Sequence, residues 1–129
     1  MIRGLKQMKV KRIHLIEIFV VFILLPFSLS ASNSEEEIEF LLNAVGDSGC
    51  IFVRNGSHHD SNDAESHLRL KYNNGKRYVS SAESFIERLA TKSSWTGEVY
   101  TIKCFGKDEE PSAKWLGDAL AEYRLDTGL

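Results

Sequence analysis

Histidines, serines and two cysteines are the residues whose types and spacing suggest chemistry. His58-His59-Asp60, with seven residues between His59 and His67, presents imidazole and carboxylate, the donors that hold zinc or copper. Adjacent histidines point in different directions, however, and the gap to His67 is not a compact ligand spacing. Ser57, Asp60 and Ser61 account for the same stretch as a solvated turn leading into a helix N-cap. That is the preferred reading, so neither a metal nor a cofactor is expected.

Nucleophilic catalysis would need Ser93 or Ser94 as nucleophile and His67 as base. Neither serine lies in a Gly-x-Ser-x-Gly or Ser-x-x-Lys frame, and no Gly-rich phosphate loop is present. Acids cluster only in runs such as Glu35 to Glu37 and Asp108 to Glu110, which suit helix starts and solvated loops. The expectation is therefore a non-enzyme. The alternative is a minor hydrolase or metal-binding protein using His67 with Ser93 or Ser94, or the His58-His59 pair.

Arg54, His67, Lys71, Ser93, Ser94 and Tyr100 form a further candidate. Gathered beside a β-ribbon they would make a polar pocket for an anion or a peptide carboxylate. The plainer account, favoured from sequence, is a buried hydrogen-bond network that fixes the loop around Trp95. Asp63, four residues before His67, equally suits an ordinary i, i+4 helix pair.

Cys50 and Cys104 are the only cysteines. In an oxidising compartment an even pair points to a disulfide. It would close a 54-residue loop, which the chain-entropy account equates with about 4 kcal/mol.

Six elements would position these groups. Ser34 with Glu37 reads as a capping box, opening a helix with Ile38, Leu41, Leu42 and Val45 on one face. Cys50 to Arg54 reads as a strand stopped by the turn dipeptide Asn55-Gly56. A second helix runs from Asp60 or Ser61 to Tyr72, with Ala64, Leu68 and Tyr72 inward. A third is capped by Ser80 with Glu83 and buries Ala82, Phe85, Ile86 and Leu89. Glu98 to Cys104 is the second strand. Pro111-Ser112 opens the last helix, with Trp115, Leu116, Ala119, Leu120 and Tyr123 on its buried side.

A Cys50–Cys104 bridge brings the start of one strand to the end of the other, so the strands must run antiparallel. Alternation then puts Cys50, Phe52, Tyr100, Ile102 and Cys104 on one face. The expected fold class is α+β, a small single domain in the order α-β-α-α-β-α. Its two-stranded antiparallel ribbon packs against about four helices, because two strands alone are not a stable sheet.

The chain of 129 residues is 43% hydrophobic and 26% charged, a composition that fits one globular domain and excludes a collagen or a disordered chain. Arg3, Lys6, Lys9, Lys11 and Arg12 precede the apolar run Ile18 to Leu25. Pro26 and the small residues Ser28, Ser30 and Ala31 follow. This is the pattern of a secretory signal peptide over residues 1–31, leaving a globular domain at 32–129. Eight uninterrupted apolar positions between Glu17 and Pro26 fall short of the ~20 that a spanning helix needs. No stable membrane span is expected after cleavage. Beyond position 31 there are 11 basic and 17 acidic residues. An acidic domain without a basic stripe is unsuited to nucleic acid.

Phe52-Val53-Arg54-Asn55-Gly56, His67-Leu68-Arg69-Leu70-Lys71, Ala82-Glu83-Ser84-Phe85-Ile86 and Ser93-Ser94-Trp95-Thr96-Gly97 with Tyr100 occur in that order. By this ordered set, and over roughly residues 35–124, the chain resembles the YfeK-like family of small exported bacterial proteins. The resemblance implies a Gram-negative periplasmic address and no reaction. The partner expected is a periplasmic protein, a peptide or an envelope component.

Overall fold

The computed structural model describes residues 30–129, so the expected signal peptide lies almost wholly outside the described residues. Helix α1 (Ser30–Asp47) buries Ile38, Leu41, Leu42 and Val45 completely, as their spacing requires. It already passes through Ser34, which corrects the expected capping box. No proline or glycine lies between Ser30 and Glu37 to stop the helix. Glu37 is instead buried, and Arg124 donates to both of its carboxylate oxygens at 2.7 and 2.9 Å.

Strand β1 (Ile51–Arg54) turns at Asn55 (φ 49°) and Gly56 (φ 74°) into β2 (Ser57–His59), which pairs with it antiparallel. Two consecutive positive φ values are what a type I′ hairpin demands. The turn expected to stop a strand thus carries the chain straight back along it. Strand β3 (Thr101–Lys103) pairs with the other edge of β1, and β4 (Glu110–Pro111) closes the order β2-β1-β3-β4. The expected ribbon is therefore the centre of a four-stranded antiparallel sheet. Both added strands are short, polar edge strands without apolar alternation. Pro111 is tolerated because it lies at the rim of the sheet.

The register sets Ile51 opposite Lys103 and Phe52 opposite Ile102. One step further, Cys50 faces Cys104. The two are joined by a disulfide with their Cα atoms 4.4 Å apart, within the range a bridge tolerates. Cys50, Phe52, Tyr100 and Ile102 are buried on the same face, as the alternation requires.

Helix α2 (Ser61–Gly75) starts at Asp60, whose carboxylate accepts from the Asp63 N–H at 2.8 Å, and turns Ala64, Leu68 and Tyr72 inward. It outlasts the expected stop at Tyr72 and runs through Asn73 and Asn74 into a 3-10 turn, Lys76–Tyr78. Helix α3 (Ala82–Leu89) is capped by Ser81 and Ser84 exchanging hydrogen bonds at 2.9 and 3.1 Å. The expected Ser80–Glu83 box is displaced by one residue. Burial of Ala82, Phe85 and Ile86 fixes the phase of the helix, and Glu83 is drawn to Arg124 instead. Helix α4 (Ser112–Thr127) buries Leu116 and Leu120 and stacks Tyr123 on Phe40 of α1 at 4.2 Å. The core lies between the inner face of the sheet and these four helices.

Candidate functional site

Three parts of the chain converge beside the end of β1. The β-ladder delivers Arg54 at its last position, and the hairpin turn adds Asn55. Helix α2 contributes His67 and Lys71, one helical turn apart on the same face. The connector from α3 to β3 supplies Ser93, Ser94 and Trp95, with Tyr100 at the head of the strand. Its shape is set locally: Lys92 bridges Val99, the Ser93 N–H donates to Glu98 O at 2.9 Å, and the Gly97 N–H donates to Ser93 O at 3.0 Å. The Tyr100 N–H donates to Thr91 O, while Tyr100 O accepts from the first N–H of α4 at Ser112. All six residues singled out in the sequence line one cleft of about 310 Å³, together with Asn55 and Trp95.

The Tyr100 phenol is the centre of the cleft's polar contacts. Lys71 Nζ donates to it at 3.3 Å and also reaches Lys92 O at 3.3 Å. His67 Nε2 lies 3.5 Å from the same oxygen, its ring edge-on to the tyrosine. Burial, then the charges of Arg54, Lys71 and His59, push His67 down to about 4, so it is neutral at pH 7. Burial, then Arg54, lowers Lys71. Burial raises the Tyr100 hydroxyl, with Arg54 and the Ser93 hydroxyl opposing the shift.

Arg54 stands apart from the other half-buried arginines. Arg69 is held by Glu39 and Glu65, and Arg124 by Glu37 and Glu83. The half-buried Arg54 guanidinium makes no hydrogen bond or ion pair among the described residues. None of the described residues lining its cleft is an acid.

The two serines differ. Ser93 is buried, and its Oγ accepts from the Trp95 N–H at 3.2 Å, the Thr96 N–H at 3.4 Å and Asn55 Nδ2 at 3.3 Å. Ser94 is exposed. Among the described residues neither hydroxyl bonds to His67, whose polar contact is Tyr100. His58 and His59 alternate along β2, opposite Val53 and Phe52 respectively, so their rings leave opposite faces of the sheet. Among the described residues no three His, Cys, Asp or Glu side chains group as a metal site would require.

Sequence reasoning passed over Asn55 and Trp95 as parts of the cleft. It also missed a smaller adjoining cavity lined by Phe52, Val53, Ala64, Leu68, Ala90 and Leu116 among others. The Asn55-Gly56 turn signal was present, but its value as a wall depends on the loop opposite. There the Thr96 hydroxyl donates to Asn55 Oδ1, 41 residues away in sequence.

A family of unknown function (DUF5329) matches residues 32–124. The chain belongs to this family. The uncharacterized protein YfeK of Salmonella typhimurium (strain LT2) is 41% identical over 70 residues, covering 54% of this chain. The matched stretch spans 58% of that protein's own length. No solved structure matches. The resemblance carried by the four ordered motifs is thereby shown as kinship. Family membership assigns no reaction.

Proposed function

We propose that this chain is an exported, non-catalytic binding module of the cell envelope that receives a carboxylate in the cleft of Arg54 and Lys71. The observation that carries the reading is the Arg54 guanidinium beside Lys71, without a hydrogen bond or ion pair among the described residues, in a cleft lined by no described acid. Two basic groups held together without a counter-ion favour an anion, which relieves their repulsion and finds a fork of donors on the guanidinium. Tyr100 and Asn55 add neutral polar groups at the same cleft.

The serines support binding rather than catalysis. Three donors already point at Ser93 Oγ, occupying the lone pairs a nucleophile would use. Export is supported by the basic-then-apolar start of the sequence and by the disulfide, which persists in oxidising compartments. Among the described residues no helix is long and apolar enough to cross a membrane.

The test is an NMR titration with N-acetylglycine at low ionic strength. Saturable shifts are expected at the Trp95 indole and Tyr100, weakening with salt as exposed charge contacts do. Arg54→Gln is expected to weaken binding about tenfold, the scale of one lost charge-assisted contact. Equal affinity in wild type and in the Arg54→Gln, Lys71→Gln double variant would remove the proposal.

A further inference from the structure

We propose that the carboxylate received in this cleft is the C-terminus of a peptide whose last residue is small and aliphatic, its side chain entering the adjoining apolar cavity. The inference rests on the carboxylate reading above and adds the class of ligand.

Arg54, His67 and Tyr100 line both the basic cleft and the smaller cavity. The two spaces therefore adjoin at these three side chains, the first lined by basic and polar groups and the second mostly by hydrocarbon, with Asp63, His59 and Ser112 as its other polar residues. Phe52 and Val53 of β1, Ala64 and Leu68 of α2, Ala90 after α3 and Leu116 of α4 furnish that hydrocarbon. A ligand matching both sides has a carboxylate within a few bonds of a small apolar group. The α-carboxylate and side chain of a terminal residue have this arrangement.

Size sets the class of side chain. The cavity measures about 40 Å³, against the ~10–15 Å³ that one water requires on the same measure. A space of this size suits a methyl to isopropyl group better than an aromatic ring.

Two further features favour a peptide over a free amino acid. First, a free α-ammonium would lie two bonds from the carboxylate, beside Arg54 and Lys71, where no described acid lines the basic cleft to receive it; the one lining acid, Asp63, belongs to the cavity that the side chain occupies. An acylated nitrogen carries no such charge. Second, His59 Nε2 is buried without a hydrogen-bond partner among the described residues, and His59 lines the apolar cavity. With the ring proton on Nδ1, that nitrogen is an unsatisfied acceptor, and a turn of the His59 ring would present it to the amide N–H of the terminal residue. Trp95, 96% exposed, lines the mouth of the basic cleft and offers apolar surface to the preceding residue.

The experiment is a set of NMR titrations of the disulfide-bonded protein with N-acetyl-Gly-Val, N-acetyl-Gly-Gly, N-acetyl-Gly-Trp, N-acetyl-Gly-Val amide, isovalerate and free valine. N-acetylglycine is the reference. N-acetyl-Gly-Val is expected to bind about tenfold or more tightly than the glycine and tryptophan peptides, the discrimination a filled apolar pocket supplies. It should shift the Leu68 and Leu116 methyl resonances, which the glycine peptide leaves in place. The amide should bind at least about tenfold more weakly than the acid. If the glycine and valine peptides bind alike, the carboxylate site stands and this inference falls. If isovalerate or free valine matches the valine peptide, the ligand is a small free acid and the peptide assignment is overturned. Failure of every carboxylate, N-acetylglycine included, removes the underlying reading as well.

Discussion

His67 shows how one residue can report on its whole surroundings. Its ring is flanked by Arg54, Lys71 and His59 and touches Tyr100, and burial with these charges holds it near 4. An unfolded chain takes up that proton near ~6.5. Between these two values the unfolded state binds more protons than the native one, so native stability falls as the pH drops through this window. Above about 6.5 both states carry a neutral ring, and His67 adds no slope. Urea midpoints measured from pH 7.5 to 4.5 should therefore decline in the wild type and decline less in His67→Gln. Parallel curves would show that the ring is not held neutral. The residue type was legible in the sequence as a titratable group on a helix. Its depressed proton affinity was not, because Arg54 and Tyr100 approach from elements 13 and 33 positions away.

At the scale of elements, the β1–β2 hairpin decides where Arg54 ends up. Asn55 and Gly56 both take positive φ, and only glycine does so without a Cβ penalty. Gly56→Ala meets open space, so its effect is conformational strain alone. It is expected to destabilise by about 1–2 kcal/mol, read as a lower urea midpoint with an unchanged slope. An unaltered midpoint would mean that the turn adopts another conformation. Helices with strong apolar periodicity were legible in advance: Ile38, Leu41, Leu42 and Val45 in α1, and Ala82, Phe85 and Ile86 in α3, are all buried. Their starts were less so. A capping box is a local preference, and the helix extends backward past Ser34, while Glu37 found a partner in Arg124. Strands β2 and β4 escaped notice because Ser57-His58-His59 and Glu110-Pro111 have no apolar alternation. Backbone pairing at a sheet edge makes them strands.

For the whole molecule, the Cys50–Cys104 bridge links positions 54 residues apart. Loss of a native disulfide in a small domain typically removes about 2–5 kcal/mol. The Cys50→Ala, Cys104→Ala double variant should lose stability in that range. It should retain N-acetylglycine binding at temperatures where it is folded, since Arg54 and Tyr100 are positioned by the β1–β3 ladder rather than by the sulfurs. Two thiols reacting under denaturing, non-reducing conditions, in protein recovered from an oxidising compartment, would contradict the bridge. Helices α1 and α4 are tied by Glu37 and Arg124, 87 residues apart. The bridge and this ion pair thus clamp the sheet and the helix layer at separate points.

By itself the sequence determined what local chemistry and periodicity dictate: four amphipathic helices, two central strands, their antiparallel sense from the cysteine pair, and the six polar residues of the cleft as candidates. Each follows from interactions within a few positions, or from the single covalent link available. Only the tertiary structure decided which charges found partners. Arg69 and Arg124 meet carboxylates on neighbouring helices, whereas Arg54 meets none among the described residues. It also set a mostly apolar cavity beside the basic cleft, with Arg54, His67 and Tyr100 lining both. Pairing and cavity shape depend on distances between segments far apart in the chain, which side-chain spacing along a single element does not encode.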